Sequence, residues 1–210
     1  MNVKTGVGVT AGVVGLNLAL LPLAYSLSEP PLRLAPYPYF AGEPGWPEGE
    51  SDMVSRVELD AQALPRGGSG GALRYRATSS NHLSFEAFGA WFREARPGKS
   101  VRWLGAGVRG EIARSDRGVL DWIMGGAGLG GGESGAGPRL GLGGALYPRR
   151  PLSLEGEATT TIIGGGPPVE ELSAALGAVL DAVELRAGWR ALVGPIRPIS
   201  GPELSALYRY

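Results

Sequence analysis

Three polar side chains, His82, Ser84 and Glu86, have the types and spacing of a hydrolytic site. Residues at positions i, i+2 and i+4 of a strand share one face, so a base, a nucleophile and a carboxylate would lie together. Such neighbours are about 6.5–7 Å apart at Cα, however, so direct His–Ser hydrogen bonding needs favourable rotamers. A histidine near a turn in a polar interior explains His82 more simply, and we expect no catalytic residue.

The sequence gives little indication of a metal, cofactor or phosphate-binding site. The chain has no cysteine and one histidine, which cannot build a metal cluster, so we predict no metal and no cofactor. The segment GLGGGESGAG at 128–137 lacks the Lys-Ser/Thr of a phosphate-binding loop and is interpreted as a flexible surface loop.

Composition narrows the class of protein. The 210 residues fit one folded domain, and 20 basic residues balance 20 acidic ones, so nothing indicates a nucleic-acid partner. The mean hydropathy of +0.01 is too polar for a helical membrane protein. It suits a transmembrane barrel, because only every second strand residue faces lipid.

The first 50 residues precede the folded part. Residues 1–26 have one early lysine, an uncharged run and small residues at 24 and 26, which predicts a secretory signal peptide. A first strand and an uncleaved membrane helix are the alternatives. Residues 27–50 are rich in proline and aromatic residues and predict an extended leader that covers the periplasmic mouth of the barrel, plugs its lumen or forms a mobile arm.

From residue 51 onward, short segments alternate between apolar and polar residues. In residues 56–63, Val57 and Leu59 share one face while Arg56 and Glu58 share the other. The segments run to about 9–12 residues, as a tilted strand needs to cross a bilayer, and long connections alternate with short turns. The sequence therefore predicts an all-β, antiparallel, up-and-down transmembrane β-barrel over residues 51–210, with strands near 53–64, 72–79, 82–93, 100–113, 118–127, 138–147, 151–163, 170–180, 183–193 and 203–210.

The strand count depends on one segment. Residues 169–182 also fit helical spacing, and a loop helix there would leave eight strands. We favour ten, because the outward-facing parity changes at Asp181 as a tight turn requires.

The apolar and polar faces of the predicted strands indicate which residues meet the membrane and which line the lumen. The apolar face predicts an aromatic girdle at the membrane interfaces, formed by Tyr75, Phe85, Trp91, Trp103, Trp122, Tyr147, Trp189, Tyr208 and Tyr210. The polar face predicts a balanced, salt-bridged and closed lumen, because so small a barrel is filled by its own side chains and buried charges need partners. Its predicted members are Arg56, Glu58, Asp60, Arg74, Arg76, Glu86, Arg102, Arg109, Glu111, Asp121, Arg139, Glu155, Glu157, Glu184, Arg186 and Arg190.

The last strand carries a family resemblance. Leu204, Ala206, Tyr208 and Tyr210 share one face, and the segment ends in an aromatic residue. It resembles the last strand of small bacterial outer-membrane β-barrels of the OmpA and OmpX kind, with no particular subfamily indicated. The resemblance implies an outer-membrane location, contact with outer-membrane lipid and recognition of residues 203–210 by the barrel assembly machinery.

We therefore expect a non-enzymatic structural or interaction barrel with Gly-rich surface loops, any protein partner meeting those loops or residues 27–50. One alternative is a hydrolase, because His82 and Ser84 also resemble the catalytic pair of outer-membrane lipid A deacylases. A narrow solute channel and a soluble periplasmic β-sandwich or lipocalin-like carrier are the others.

Overall fold

The computed structural model describes residues 53–79, 83–93, 100–115, 117–131, 134–149, 151–164, 166–180, 182–194 and 198–210. The predicted signal peptide (1–26) and leader (27–50) lie outside these ranges. The described residues form ten strands and one 3-10 turn, Pro65–Gly67. The strands are β1 (Met53–Leu64), β2 (Gly68–Ser79), β3 (Leu83–Arg93), β4 (Ser100–Ser115), β5 (Gly118–Gly130), β6 (Gly135–Arg149), β7 (Leu152–Thr161), β8 (Val169–Leu180), β9 (Val183–Val193) and β10 (Ile199–Arg209).

The strands close into a barrel. Each strand pairs antiparallel with its sequence neighbours, and β1 pairs with β10. Ser55 and Tyr210 exchange two backbone hydrogen bonds of 2.9 Å at this closing seam. The predicted ten-stranded up-and-down topology is confirmed, and residues 169–180 are a strand rather than a helix. Nowhere in the described ranges is there an α-helix long and apolar enough to span a bilayer.

Two glycine-rich segments predicted as loops, residues 65–71 between the first two predicted strands and residues 128–137, are largely strand instead. The β1–β2 connection is only Pro65–Gly67, and most of residues 128–138 belongs to β5 and β6. The prediction of long Gly-rich surface loops was therefore wrong at these two places. Glycine here permits close approach: a Cβ at Gly71 would collide with the Trp91 ring on the neighbouring strand.

Side-chain alternation gives the barrel an inverted polarity. Large apolar side chains face outward, for example Phe85 at 63% and Leu204 at 66% exposure. Charged side chains on the same strands face inward and are buried. The period of two that places Val57 and Glu58 on opposite faces thus produces an apolar exterior around a charged interior.

The barrel has two different ends. The terminal end is where β1 begins and β10 finishes, and the loop end is opposite. At the loop end the interior is filled by an apolar plug. We define the apolar plug as the buried residues Ala72, Phe88, Ala90, Phe92, Trp103, Ala127, Leu129, Val169 and Leu192.

Near the loop end, side-chain hydrogen bonds from Gln62 continue the β1–β10 seam. The β1–β10 register stops at Gln62 opposite Glu203, and the next β10 residue is Pro202, which has no backbone N–H to donate. Gln62 Nε2 donates instead to the carbonyl oxygens of Arg190 (2.8 Å) and Gly201 (3.2 Å). The buried amide thus bonds to β9 and β10 beyond the point where the β1–β10 register ends.

Candidate functional site: the charged interior

Arg139 lies at the centre of the charged interior. Its guanidinium donates to Glu86 Oε1 at 2.7 Å, to Glu157 Oε1 at 2.6 Å and to Glu171 Oε2 at 3.4 Å. The three carboxylates come from β3, β7 and β8, while Arg139 belongs to β6. With 1% of its surface exposed, Arg139 links four strands across the lumen.

Three further arginines surround the same carboxylates. Arg109 pairs with Glu157 and places Nε 3.3 Å from Glu86 Oε2. Arg74 Nη1 lies 3.2 Å from Glu157 Oε2, and Arg76 Nη2 lies 3.5 Å from Glu86 Oε2. Each of these carboxylates therefore has several cationic partners, which offsets the cost of burying it.

A second cluster lies closer to the terminal end. Arg186 reaches Glu155 at 2.5 Å, Glu184 at 2.8 Å and Glu58 at 3.3 Å. Glu184 is fully buried and also accepts hydrogen bonds from Ser153 and Arg209. Charge-assisted bonds of this kind are stronger than neutral ones, so this cluster ties β1, β7, β9 and β10 together.

Arg190 forms a third centre, close to the β1–β10 seam. It lies 3.0 Å from Glu171, 3.0 Å from Glu203 and 3.5 Å from Asp60. Because Glu171 also contacts Arg139, the ion pairs of this centre are continuous with those around Arg139.

Little space is left between these groups. An internal cavity of about 20 Å³ lies among Glu58, Asp60, Arg74 and Arg190. That is enough for about one water molecule with polar partners. The described lumen is thus packed with paired charge at this level.

The apolar plug joins the charged interior through two contacts. The Arg139 guanidinium carbon lies 4.6 Å from the centre of the Phe88 ring, within the range of a cation–π interaction. Trp103 Nε1 donates to Glu171 Oε2 at 3.3 Å. These contacts fix the boundary between the plug and the charges.

Most residues predicted for the lumen lie inside, and one does not. Glu58, Asp60, Arg74, Arg76, Glu86, Arg109, Arg139, Glu157, Glu184, Arg186 and Arg190 are buried, and Arg56, Glu111, Asp121 and Glu155 are partly buried. Arg102 is exposed, so its prediction was wrong. It is seven residues from Arg109 on β4, and alternation places residues an odd number apart on opposite faces.

The predicted girdle needs three corrections. Trp103 is 1% exposed inside the barrel, because it shares the face of Arg109. Tyr147 is only partly exposed, since its alternation follows Ala145 and Arg139 rather than outward Leu146. Trp122 is buried against Gly110, where a Cβ would strike its ring. Outward exposure is found for Tyr75, Phe85, Trp91, Trp189, Tyr208 and Tyr210, whose girdle role remains a prediction.

Sequence reasoning missed three members of the charged interior. Glu171, Glu203 and Arg209 all form the ion pairs described above. The signal was present, because each stands directly beside an outward apolar residue, respectively Leu172, Leu204 and Tyr208.

Of the three residues considered for hydrolysis, the structure describes Ser84 and Glu86. His82 lies outside the described residues. Ser84 Oγ is 2.8 Å from Thr78 Oγ1, and Glu86 is held by Arg76, Arg109 and Arg139. In the described part of the chain, no group of three His, Asp or Glu side chains is placed to hold a metal ion.

No protein-family model matches the chain, and no curated protein matches it. Solved structures similar to it include CdiB from Acinetobacter baumannii, with 11% identity, a TM-score of 0.35 and 70% of this chain covered. The chain spans 39% of the length of that protein. Neisserial surface protein A shares 16% identity over 76% of this chain and 96% of its own, with a TM-score of 0.33. The Yersinia pestis outer membrane protein Ail, solved in a phospholipid bilayer nanodisc, shares 14% identity over 76% of this chain and 100% of its own, with a TM-score of 0.39.

Proposed function

We propose that this chain is a closed, non-conducting barrel of the bacterial outer membrane with a structural or interaction role. The observation that carries the proposal is that buried ion pairs and apolar side chains fill the barrel interior. Arg139 and its partners cross the lumen from four strands, and the apolar plug fills the loop end above them. A solute would have to separate buried ion pairs to pass, and leaving a buried charge without its partner costs on the order of 3–5 kcal/mol.

The exterior supports the membrane location. Leucine, tryptophan, tyrosine and phenylalanine side chains are exposed around the barrel, which would be unfavourable in water but is favourable in hydrocarbon. The strands are 10–16 residues long, enough to cross a bilayer when tilted. A soluble carrier would instead place a polar surface outside and leave room for a ligand within.

With a closed interior, contacts with other molecules are made by the outer surface of the barrel and by the segments outside its wall. Leu204, Ala206, Tyr208 and Tyr210 are all exposed on one face of the last strand, as recognition by the barrel assembly machinery requires. Following the usual arrangement of such barrels, the terminal end faces the periplasm. A partner protein would meet the loop end or residues 27–50.

Planar-bilayer recording tests the closed lumen. The folded protein, added at a concentration at which a porin control gives clear steps, is expected to leave the current at background. Heat-modifiable mobility on a detergent gel checks that the same sample is a folded barrel. Reproducible conductance steps from that sample would overturn the proposal in favour of a channel.

A further inference from the structure

A trough of about 760 Å³ lies on the barrel wall over β4, β5, β6 and β7, near the terminal end. Gly144 and Gly156 stand directly opposite each other in the register and form its floor. We call this feature the outer trough, and its walls are the exposed side chains Leu120, Leu142, Leu146 and Leu154.

The trough has the shape and chemistry to take a hydrocarbon chain. Its large exposed apolar side chains are leucines, Arg114 and Ser115 also line it, and its floor has no side chain over two adjacent strands. At Gly156 an added Cβ would meet only the Ser173 carbonyl oxygen, at 3.7 Å, so the space above this glycine is open. A flexible acyl chain can fill such a depression along the strands and gain van der Waals contact on three sides.

Basic residues are concentrated at the two turns of the terminal end that adjoin the trough. The β4–β5 and β6–β7 turns and the strand ends that adjoin them contain Arg114, Arg117, Arg149 and Arg150 beside Asp116, and Arg114 is already paired with Glu111. Arg117 and Arg149 are exposed, and the two turns are joined by a hydrogen bond from Tyr147 N to Arg117 O of 2.6 Å. The turns at 80–82 and 181–182 contain no arginine or lysine. Among the four turns of the terminal end, arginine is therefore found only at the two that adjoin the trough.

We propose that the outer trough binds one phospholipid of the periplasmic leaflet. An acyl chain lies over Gly144 and Gly156, and the lipid phosphate lies near Arg117 and Arg149. Arginine suits this task because its planar guanidinium forms charge-assisted, bidentate bonds to phosphate. The inference rests on the proposed outer-membrane orientation of the barrel.

A second copy of the chain fits this face less well. Two barrels packed trough to trough about a two-fold axis along the membrane normal would bring the basic turns of both copies together. Like charges at such close range repel, whereas an anionic lipid headgroup neutralises them. Charge complementarity thus selects the lipid.

Native mass spectrometry of the full chain, folded in detergent with added phosphatidylglycerol, tests the site. The wild-type protein is expected to retain one phosphatidylglycerol. Gly156→Leu fills the trough, and Arg117→Gln with Arg149→Gln removes the headgroup contacts; each is expected to reduce retention about fivefold or more. Ala61→Leu on the outer face of β1 and Arg93→Gln at the loop end are the matched controls, expected to retain lipid as the wild type does.

The outcomes separate the two proposals. Heat-modifiable barrels that retain equal lipid in all variants would overturn the lipid site and leave the barrel proposal standing. A dimer abolished by Gly156→Leu, with lipid retention unchanged, would assign the trough to a second copy and overturn the lipid site as well. Mobility that never changes on heating would overturn both proposals.

Discussion

Replacing Arg139 with methionine is expected to lower the free energy of unfolding by about 3–5 kcal/mol, because it removes the buried cation that three buried carboxylates share. Glu171, Glu86 and Glu157 each lose a contact, and at 1% exposure water cannot replace the guanidinium. The fold itself should survive, since Arg109 and Arg74 still contact Glu157. Reversible urea unfolding from lipid vesicles, followed by tryptophan fluorescence, measures the change.

Arg102→Met is the matched control for this prediction. It removes an arginine from β4, two strands away from Arg139, but Arg102 is exposed rather than buried. Its effect should be within about 0.5 kcal/mol, as for surface substitutions in general. Equal losses for the two variants would contradict the assignment of the charged network as the element that holds the strands together.

Trp103→Ala is expected to cost about 3–5 kcal/mol, the range for removing a buried tryptophan. Trp103 packs in the apolar plug, with its ring centre 6.3 Å from that of Phe88, and donates to Glu171. Trp103→Phe retains a ring but loses the donor, so a smaller loss of about 1–3 kcal/mol is expected from the lost hydrogen bond to the charged carboxylate of Glu171. The same urea titration resolves both variants.

The outward Trp91 provides the comparison. It is 56% exposed on β3, so Trp91→Ala removes contacts with the surroundings rather than with the core. We expect Trp91→Ala to cost clearly less than Trp103→Ala. A larger loss of stability for Trp91→Ala than for Trp103→Ala would contradict the assignment of Trp103 to a buried apolar plug.

Alternation of residue types was sufficient to predict the architecture. Segments such as residues 56–64 repeat an apolar–polar period of two over a length that spans a bilayer, and turn residues separate them. The outward parity on either side of Asp181 distinguished a strand at 169–180 from a helix. These are local signals, so one sequence is enough to read them.

Errors arose where residue type was given more weight than position. Arg102 was assigned to the lumen because it is charged and Trp103 to the girdle because it is aromatic, yet alternation with Arg109 requires the opposite. Glycine was interpreted as loop, although glycine-rich strands pair closely against large neighbouring rings, as Gly71 does with Trp91. In the glycine-rich segments the tertiary environment overrode a propensity.

Specific ion pairs could not be predicted from the sequence. Arg139 meets Glu86 across 53 positions of chain, and that meeting depends on the register of several strand pairs and on the curvature of the wall. The sequence indicated a balanced set of charges, whereas only the structure identifies which arginine holds which carboxylate.

Quenching of tryptophan fluorescence by brominated phospholipid tests the inverted polarity most directly. Two variants would retain only Trp91 or only Trp103, with the other tryptophans replaced by phenylalanine. In brominated vesicles the Trp91 emission should be strongly quenched, because this ring faces hydrocarbon, while the Trp103 emission should remain close to its value in unbrominated vesicles. Strong quenching of Trp103, or none of Trp91, would contradict a barrel with an apolar exterior and a closed interior.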